Sequence, residues 1–264
     1  MVDIAQASDR QPTALEEALA HPRLPLIVLL ILFPLVCWIW IIVLARDMYG
    51  PMNGASAWMM TMVWDARHIM LLWAMWAVMM AGMMLPSAAP TLLLYGAAAR
   101  RNAAASGIGQ IYAMAGGYLL VWALFSVAAT ALQRILATQL LLTPMMETGS
   151  AVGAGLLVIA GIYQLTPLKA ICVSTCQSPL GFLMRHWRRG TAGALRMGIQ
   201  HGAYCVGCCW ALMLLLFAGG VMNLGVIAAL TAFVAFEKLT PYGVQGARVS
   251  GALLIASGVW MFSR

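Results

Sequence analysis

The residues best suited to chemistry are concentrated in one short stretch of this chain. Five of the six cysteines lie between positions 172 and 209, together with His201. Thiolate and imidazole suit Cu(I), Zn(II) and iron, whereas Mg(II) and Ca(II) want the oxygen ligands that this stretch lacks. The stretch is therefore a candidate site for a soft metal ion, and we favour copper over zinc or iron.

The spacing of these residues indicates a single helical face. The core of the group is one imidazole and three thiols: His201, Cys205, Cys208 and Cys209. At about 100° per residue, these four side chains fall within an arc about 100° wide. We predict that they are the core metal ligands. A loop-borne pair one helical turn apart, Cys172 and Cys176, would complete the site or deliver metal to it.

Two other interpretations of the cysteines stay open at this point. An isolated buried cysteine is usually a small hydrophobic packing residue, and Cys37 is interpreted in this way. Cys205 and Cys208 also have the spacing of a thiol–disulfide redox motif. A structural disulfide is less favoured, because the predicted topology places Cys172 and Cys176 on the reducing cytoplasmic side.

Methionine is the second unusual feature, with 20 residues in the chain. Met75, Met79 and Met83 recur at every fourth position, with Met80 and Met84 beside them. Thioethers are soft ligands that bind without losing a proton, so Met79 and Met83 are optional relay ligands. Adaptable packing inside an apolar helix bundle is the favoured explanation of the stripe.

The composition indicates a membrane environment for these residues. The chain is 63% hydrophobic and 9% charged, with a mean hydropathy of +0.89, whereas a soluble domain has about a quarter of its residues charged. The net charge of +7 does not suggest nucleic acid, because the basic residues fall in short loops between apolar runs. The expected partner of this surface is a lipid bilayer.

The elements that position the candidate ligands are predicted to be transmembrane helices. We predict an all-α polytopic bundle of about seven spans, with six as an alternative, over residues 24–45, 69–98, 108–136, 151–168, 199–218, 221–236 and 245–262. Pro86 and Pro90 should kink or break the second span. Gly219 and Gly220 require a tight hairpin between the fifth and sixth spans, or a re-entrant segment.

The distribution of Lys and Arg predicts the orientation, because basic residues next to spans resist translocation. They gather in three loops that share one side, which places the N-terminus in the cytoplasm. Residues 1–23 form a cytoplasmic tail, with a short interfacial helix over 13–21, and residues 24–264 form one transmembrane domain. Glu237 and Lys238, at the end of the sixth span, are interpreted as solvated or snorkelling groups.

The cysteines lie within a set of short motifs that extends from the second span to the C-terminus. The motifs are Met79-Met80, Met83-Met84, Pro86, Pro90, Leu165-Thr166-Pro167-Leu168-Lys169, Cys172, Cys176, Ser178-Pro179, Trp187, Gly190, Gly193, Met197-Gly198, His201-Gly202, Tyr204-Cys205, Gly207-Cys208-Cys209-Trp210, Leu212-Met213, Met222-Asn223-Leu224 and Glu237-Lys238. In these motifs the chain resembles a bacterial family of predicted metal-binding integral membrane proteins. The resemblance implies a multi-pass helical protein of the bacterial inner (plasma) membrane that binds metal.

Three functional hypotheses follow from these observations. The first is a membrane protein that binds, delivers or transports metal, with a membrane metalloenzyme or a metallochaperone as partner and no nucleic acid. The second is a membrane enzyme, either a thiol–disulfide oxidoreductase or a metal-dependent oxidase. The third is an accessory subunit whose polar groups assemble a larger membrane complex.

Overall fold

The structure is a computed structural model that describes residues 24–50, 65–102, 108–139 and 150–263. Within these ranges all regular structure is helical, which confirms the all-α prediction. The predicted N-terminal tail and its interfacial helix lie outside the described residues. The helices are α1 (Leu24–Ile27), a π-helical segment (Val28–Leu32), α2 (Phe33–Met48), α3 (Ala66–Asn102), α4 (Ile108–Thr138), α5 (Ser150–Gln164), α6 (Pro167–Gln177), α7 (Pro179–His186), α8 (Gly190–Met213), α9 (Leu215–Gly219), α10 (Leu224–Leu239) and α11 (Gly243–Phe262).

Fewer helices than predicted meet the length and hydropathy that a membrane span requires. In the described part of the chain there are four, Val28–Met48, Ala66–Ala99, Ile108–Thr138 and Gly190–Gly219, or five if α5 and the bent continuation α6 form one span. The count of about seven is therefore not confirmed. One physical reason is length, since α10 has only 16 residues, and a crossing needs about 20.

The predicted fourth span is interrupted where its helix changes direction. The chain bends by 67° between Gln164 and Pro167. Thr166 begins the new helix: its side chain accepts a hydrogen bond from the Lys169 amide at 3.3 Å, and Pro167 occupies the first turn. Much of the chain between the predicted fourth and fifth spans is therefore helical, and it forms α6, α7 and the start of α8.

The long helix α3 is not broken at its two prolines. The helix runs through Pro86 and Pro90, each of which removes one backbone donor. Nearby hydroxyl groups supply hydrogen bonds to the same turn: Ser87 Oγ donates to the Met84 carbonyl at 2.8 Å, and Tyr118 OH donates to it at 2.9 Å. Local polar side chains thus support the backbone where prolines interrupt the regular pattern.

Glycines allow α4 and α8 to approach each other very closely. A Cβ atom on Gly198 would collide with the Met114 carbonyl oxygen, and one on Gly117 would collide with the Leu195 carbonyl oxygen. Small residues at such a crossing let two helix backbones pack against each other. The contact aligns α8, which carries the candidate ligands, with the polar side chains of α4.

A buried ion pair joins α6 to α10. Lys169 Nζ lies 2.7 Å from Glu237 Oε2, with exposed fractions of 0% and 1% for the two side chains. Gln164 Nε2 donates to Glu237 Oε1 at 2.9 Å, and Gln177 Nε2 donates to the Glu237 carbonyl at 2.8 Å. The prediction that Glu237 and its neighbour Lys238 are solvated is wrong, because helix packing encloses both.

The glycine crossing gives a first prediction. Gly198→Ala should lower the free energy of unfolding by about 1–3 kcal/mol, because the added methyl group must push two helix backbones apart. Gly116→Ala is the matched control, since a Cβ there meets no atom within 4 Å, and the change should be neutral or stabilise by up to about 1 kcal/mol. Denaturant unfolding of the purified protein in detergent would measure both values, and equal stability of the two variants would contradict the prediction.

The buried ion pair gives a second prediction. Glu237→Met should destabilise the protein by about 3–5 kcal/mol, because it leaves the Lys169 ammonium buried without a counter-charge. The double variant Lys169→Met/Glu237→Met should recover a large part of this loss, since it removes both charges. The same unfolding measurement tests the claim, and a double variant that is no more stable than Glu237→Met would contradict it.

Candidate metal centre

Three thiols occupy the buried centre of α8. Cys205, Cys208 and Cys209 have exposed fractions of 1%, 0% and 0%. All six cysteines of the chain are free thiols. The predicted helical spacing is therefore realised, and the buried face of α8 presents these sulfurs to the surrounding helices.

The Cys205 sulfur lies in a polar environment that other helices provide. Lys238 Nζ, from the end of α10, donates to Cys205 Sγ at 2.9 Å. The Tyr118 hydroxyl oxygen, from α4, lies 3.0 Å from the same sulfur. A nearby ammonium group stabilises the thiolate form of cysteine, which is the form that binds metal. Cys205 is therefore the thiol of α8 whose sulfur lies against a buried positive charge.

The other two thiols of α8 are turned toward the backbone of their own helix. Cys208 Sγ donates to the Cys205 carbonyl at 3.1 Å, and Cys209 Sγ donates to the same oxygen at 2.8 Å. The sulfur of Met84, on α3, lies 3.9 Å from Cys209 Sγ. A rotation about the Cα–Cβ bond would release either thiol from the carbonyl while keeping it at the cluster.

The two cysteines of α6 have different neighbours. The Cys176 thiol contacts the Cys208 thiol. The Cys172 sulfur packs against Gly207, where a Cβ atom would lie only 3.0 Å away. Both residues are buried between α6 and α8, but Cys176 is the one that joins the thiols of α8.

His201 lies on the buried face of α8, among aromatic rings. Its side chain is 4% exposed, and the ring centroid lies 5.6 Å from that of Tyr118 and 5.1 Å from that of Phe182. Its Nδ1 atom is buried without a hydrogen-bond partner. A buried nitrogen of this kind is unusual in native structures, and it leaves the imidazole free to take a ligand.

The described ranges hold no ready-made group of three His, Cys, Asp or Glu side chains placed to bind a metal ion. Two orientations account for this. The thiols of Cys208 and Cys209 donate to a helix carbonyl, and His201 packs against the tilted rings of Tyr118 and Phe182. Convergence of the imidazole and the three thiols on one ion stays a prediction, since it requires these side chains to rotate.

Four residues around the thiols were not among the predicted ligands. They come from three different helices and are Met84, Ser87, Tyr118 and Lys238. Met79 and Met83, the predicted relay ligands, are buried on α3, whereas the methionine sulfur that contacts a thiol belongs to Met84. One signal for Lys238 was present in the sequence, because an ionisable residue inside an apolar chain is rare and usually functional.

The comparisons with known proteins add one finding. No curated protein and no solved structure matches the chain. The sequence model of the PpoB2 family, described as a copper chaperone, matches residues 73–261, which is well over half of the 264 residues. The matched region contains every thiol of α6 and α8, as well as Met84, Tyr118 and Lys238. On this basis, the chain belongs to the PpoB2 copper chaperone family.

Proposed function

We propose that this protein is an integral membrane copper chaperone that carries Cu(I) on the Cys205 and Cys209 thiolates and the Met84 thioether. Family membership supports the handling of copper. The ligand set rests on one observation, the 3.9 Å separation of the sulfur atoms of Cys209 and Met84. Soft ligands of this kind suit Cu(I).

The separation of these two sulfurs suits a shared metal ion. With metal–sulfur bonds of about 2.3 Å, three sulfurs in a plane around one ion lie about 4.0 Å apart. The observed 3.9 Å is close to this value. Cys205 lies one helical turn before Cys209, and Lys238 Nζ lies 2.9 Å from Cys205 Sγ and 3.9 Å from Met84 Sδ. Cys205 would therefore supply the third sulfur after a side-chain rotation.

We assign the remaining predicted ligands to the transfer of copper. A cavity of about 210 Å³ lies beside α7 and is lined in part by Phe182, His186 and Tyr204. The Phe182 ring packs against two imidazoles, with its centroid 4.7 Å from that of His186 and 5.1 Å from that of His201. In this proposal His201 receives copper near the cavity. The other predicted ligands, Cys172, Cys176, Cys208, Met79 and Met83, exchange it within the bundle.

The distribution of polar and apolar side chains supports a membrane location. Large apolar side chains are exposed on the outside of α2 and α4, including Val43 at 61% and Leu124 at 62%. The charged groups Lys169, Glu237 and Lys238 are buried. A protein in water shows the opposite pattern, whereas a bilayer favours an apolar exterior around buried polar groups.

The location and partners complete the proposal. We place the protein in the bacterial inner membrane with its N-terminus in the cytoplasm, as the positions of the basic residues predict. A chaperone must pass its copper on, so the partner would be a membrane metalloenzyme or another metallochaperone. Family membership favours this role over thiol–disulfide exchange and over a purely structural subunit.

The proposal predicts which cysteines are needed for copper binding. The protein, purified without oxygen and loaded with Cu(I), should retain one ion at this site, and Cys205→Ser or Cys209→Ser should lower the affinity at least about tenfold, because a thiolate ligand is lost. Cys37→Ser is the matched control, since Cys37 is a buried free thiol that packs between α2 and α3 against Gly82. Elemental analysis with a chelator competition measures the effect. Equal affinity of all three variants would refute the proposed site.

A second test concerns the thioether ligand. X-ray absorption of the loaded protein should show about three sulfur neighbours at about 2.3 Å. Met84→Leu should reduce this number by one, because leucine preserves the volume but removes the sulfur. Met75→Leu, a buried change on the same helix, should leave the spectrum unchanged. An identical spectrum in the Met84→Leu protein would exclude Met84 from the ligand set.

A further inference from the structure

We infer that Lys238 determines ion specificity: its fixed positive charge makes the site favour a monovalent soft ion over a divalent one. The inference rests on the proposed function and extends it from the ligands to the choice between ions. Three observations support it, namely the position of the ammonium group, the absence of a carboxylate partner for Lys238 among the described residues, and the charge of the proposed ligand set.

The Lys238 ammonium group lies among the atoms of the proposed site. Its Nζ atom donates to Cys205 Sγ at 2.9 Å and to Ser87 Oγ at 3.2 Å, and it lies 3.9 Å from Met84 Sδ. The side chain is 5% exposed. A positive charge so close to two of the proposed ligands must affect the binding of any cation there.

Neighbouring residues on α10 direct their charges to opposite places. Glu237 turns toward α6 and forms the buried ion pair with Lys169 at 2.7 Å. Lys238 follows it about 100° further around the helix and turns toward the sulfurs. The charge of Lys169 is therefore cancelled by Glu237, whereas none of the carboxylates in the described ranges pairs with Lys238.

The charge of the occupied site depends on the ion. Cu(I) bound by two thiolates and one neutral thioether forms a unit of charge −1, which the Lys238 ammonium reduces to zero. Zn(II) in the same ligands forms a neutral unit, and Lys238 then leaves a net charge of +1. An uncompensated charge is unfavourable in a buried, apolar surrounding. Lys238 therefore stabilises the copper-bound site and opposes the zinc-bound one.

The same geometry allows the ammonium group to stay near the site when an ion binds. In the structure it donates to Cys205 Sγ at 2.9 Å. A lysine side chain has several rotatable bonds, so the ammonium can withdraw by a short distance when the ion binds. It then remains close enough to compensate the negative charge of the copper–thiolate unit.

The experiment compares ion selectivity in variants that keep or remove the charge. Full-length Lys238→Met and Lys238→Arg proteins are purified in detergent without oxygen, and the affinities for Cu(I) and Zn(II) are measured by chelator competition. The ratio of Cu(I) to Zn(II) affinity should fall at least about tenfold in Lys238→Met, because the compensating charge is lost. Lys238→Arg keeps the charge and should retain most of the wild-type ratio.

Several outcomes would overturn the inference. An unchanged affinity ratio in Lys238→Met, whether both affinities are preserved or both fall by the same factor, would show that the charge has no role in selectivity. If Lys238→Met does not fold, Lys238→Gln replaces it. If neither variant folds, the wild-type protein decides the matter: it should retain Ag(I) in preference to Cd(II), two soft ions of different charge, and equal retention would overturn the inference.

Failure of the proposed function would look different. In that case the wild-type protein would bind no Cu(I), or Cys205→Ser would bind it as tightly as wild type. Loss of Cu(I) binding in Cys205→Ser, combined with an unchanged affinity ratio in Lys238→Met, would support the copper site and reject the role of Lys238.

Discussion

The burial of two positive charges inside an apolar helix bundle is the constraint on which this structure depends. Lys169 is compensated by Glu237, and this pair connects α6 to α10 at 2.7 Å. Lys238 has no carboxylate partner among the described residues, and its ammonium group donates to the Cys205 sulfur at 2.9 Å. Glu237 and Lys238 are adjacent on α10. The Lys169–Glu237 ion pair, which stabilises the fold, therefore also fixes the helical turn from which Lys238 reaches the thiols. Architecture and candidate site are thus coupled through one helix end.

Close helix packing makes the second contribution to the site. Gly198 and Gly117 bring α4 against α8, and this approach places the Tyr118 hydroxyl 3.0 Å from Cys205 Sγ. The same hydroxyl donates to the Met84 carbonyl on α3 at 2.9 Å. Tyr118 therefore connects α3, α4 and α8 beside the Cys205 sulfur. A looser packing of α4 against α8 would move the Tyr118 hydroxyl away from this sulfur. Small residues far from the thiols are in this sense part of the site.

Local patterns predicted part of this arrangement. Helical spacing placed His201 and the α8 cysteines on one buried face, and the apolar composition indicated an all-α fold. Contacts between helices account for the residues of the candidate site that the sequence did not predict. Sequence spacing alone favours packing for Met84 and a solvated or snorkelling position for Lys238. The contacts of both residues with the thiols depend on helices that are distant in sequence. The bend before Pro167 and the 16-residue length of α10 likewise reduced the number of candidate spans.

A chaperone must hold copper firmly and still release it, and the arrangement of the thiols suits both requirements. Cys208 and Cys209 donate to one backbone carbonyl, so each thiol has a hydrogen-bonded position in the structure. In the proposed function, Cu(I) would displace the Cys209 thiol proton, which is released, and the sulfur–copper bond would replace the hydrogen bond. Met84 would add a neutral ligand that binds without losing a proton. Because the hydrogen-bonded position remains available, the Cys209 thiol would regain a proton and its carbonyl partner when the ion leaves, so release would not leave this buried group without a hydrogen bond.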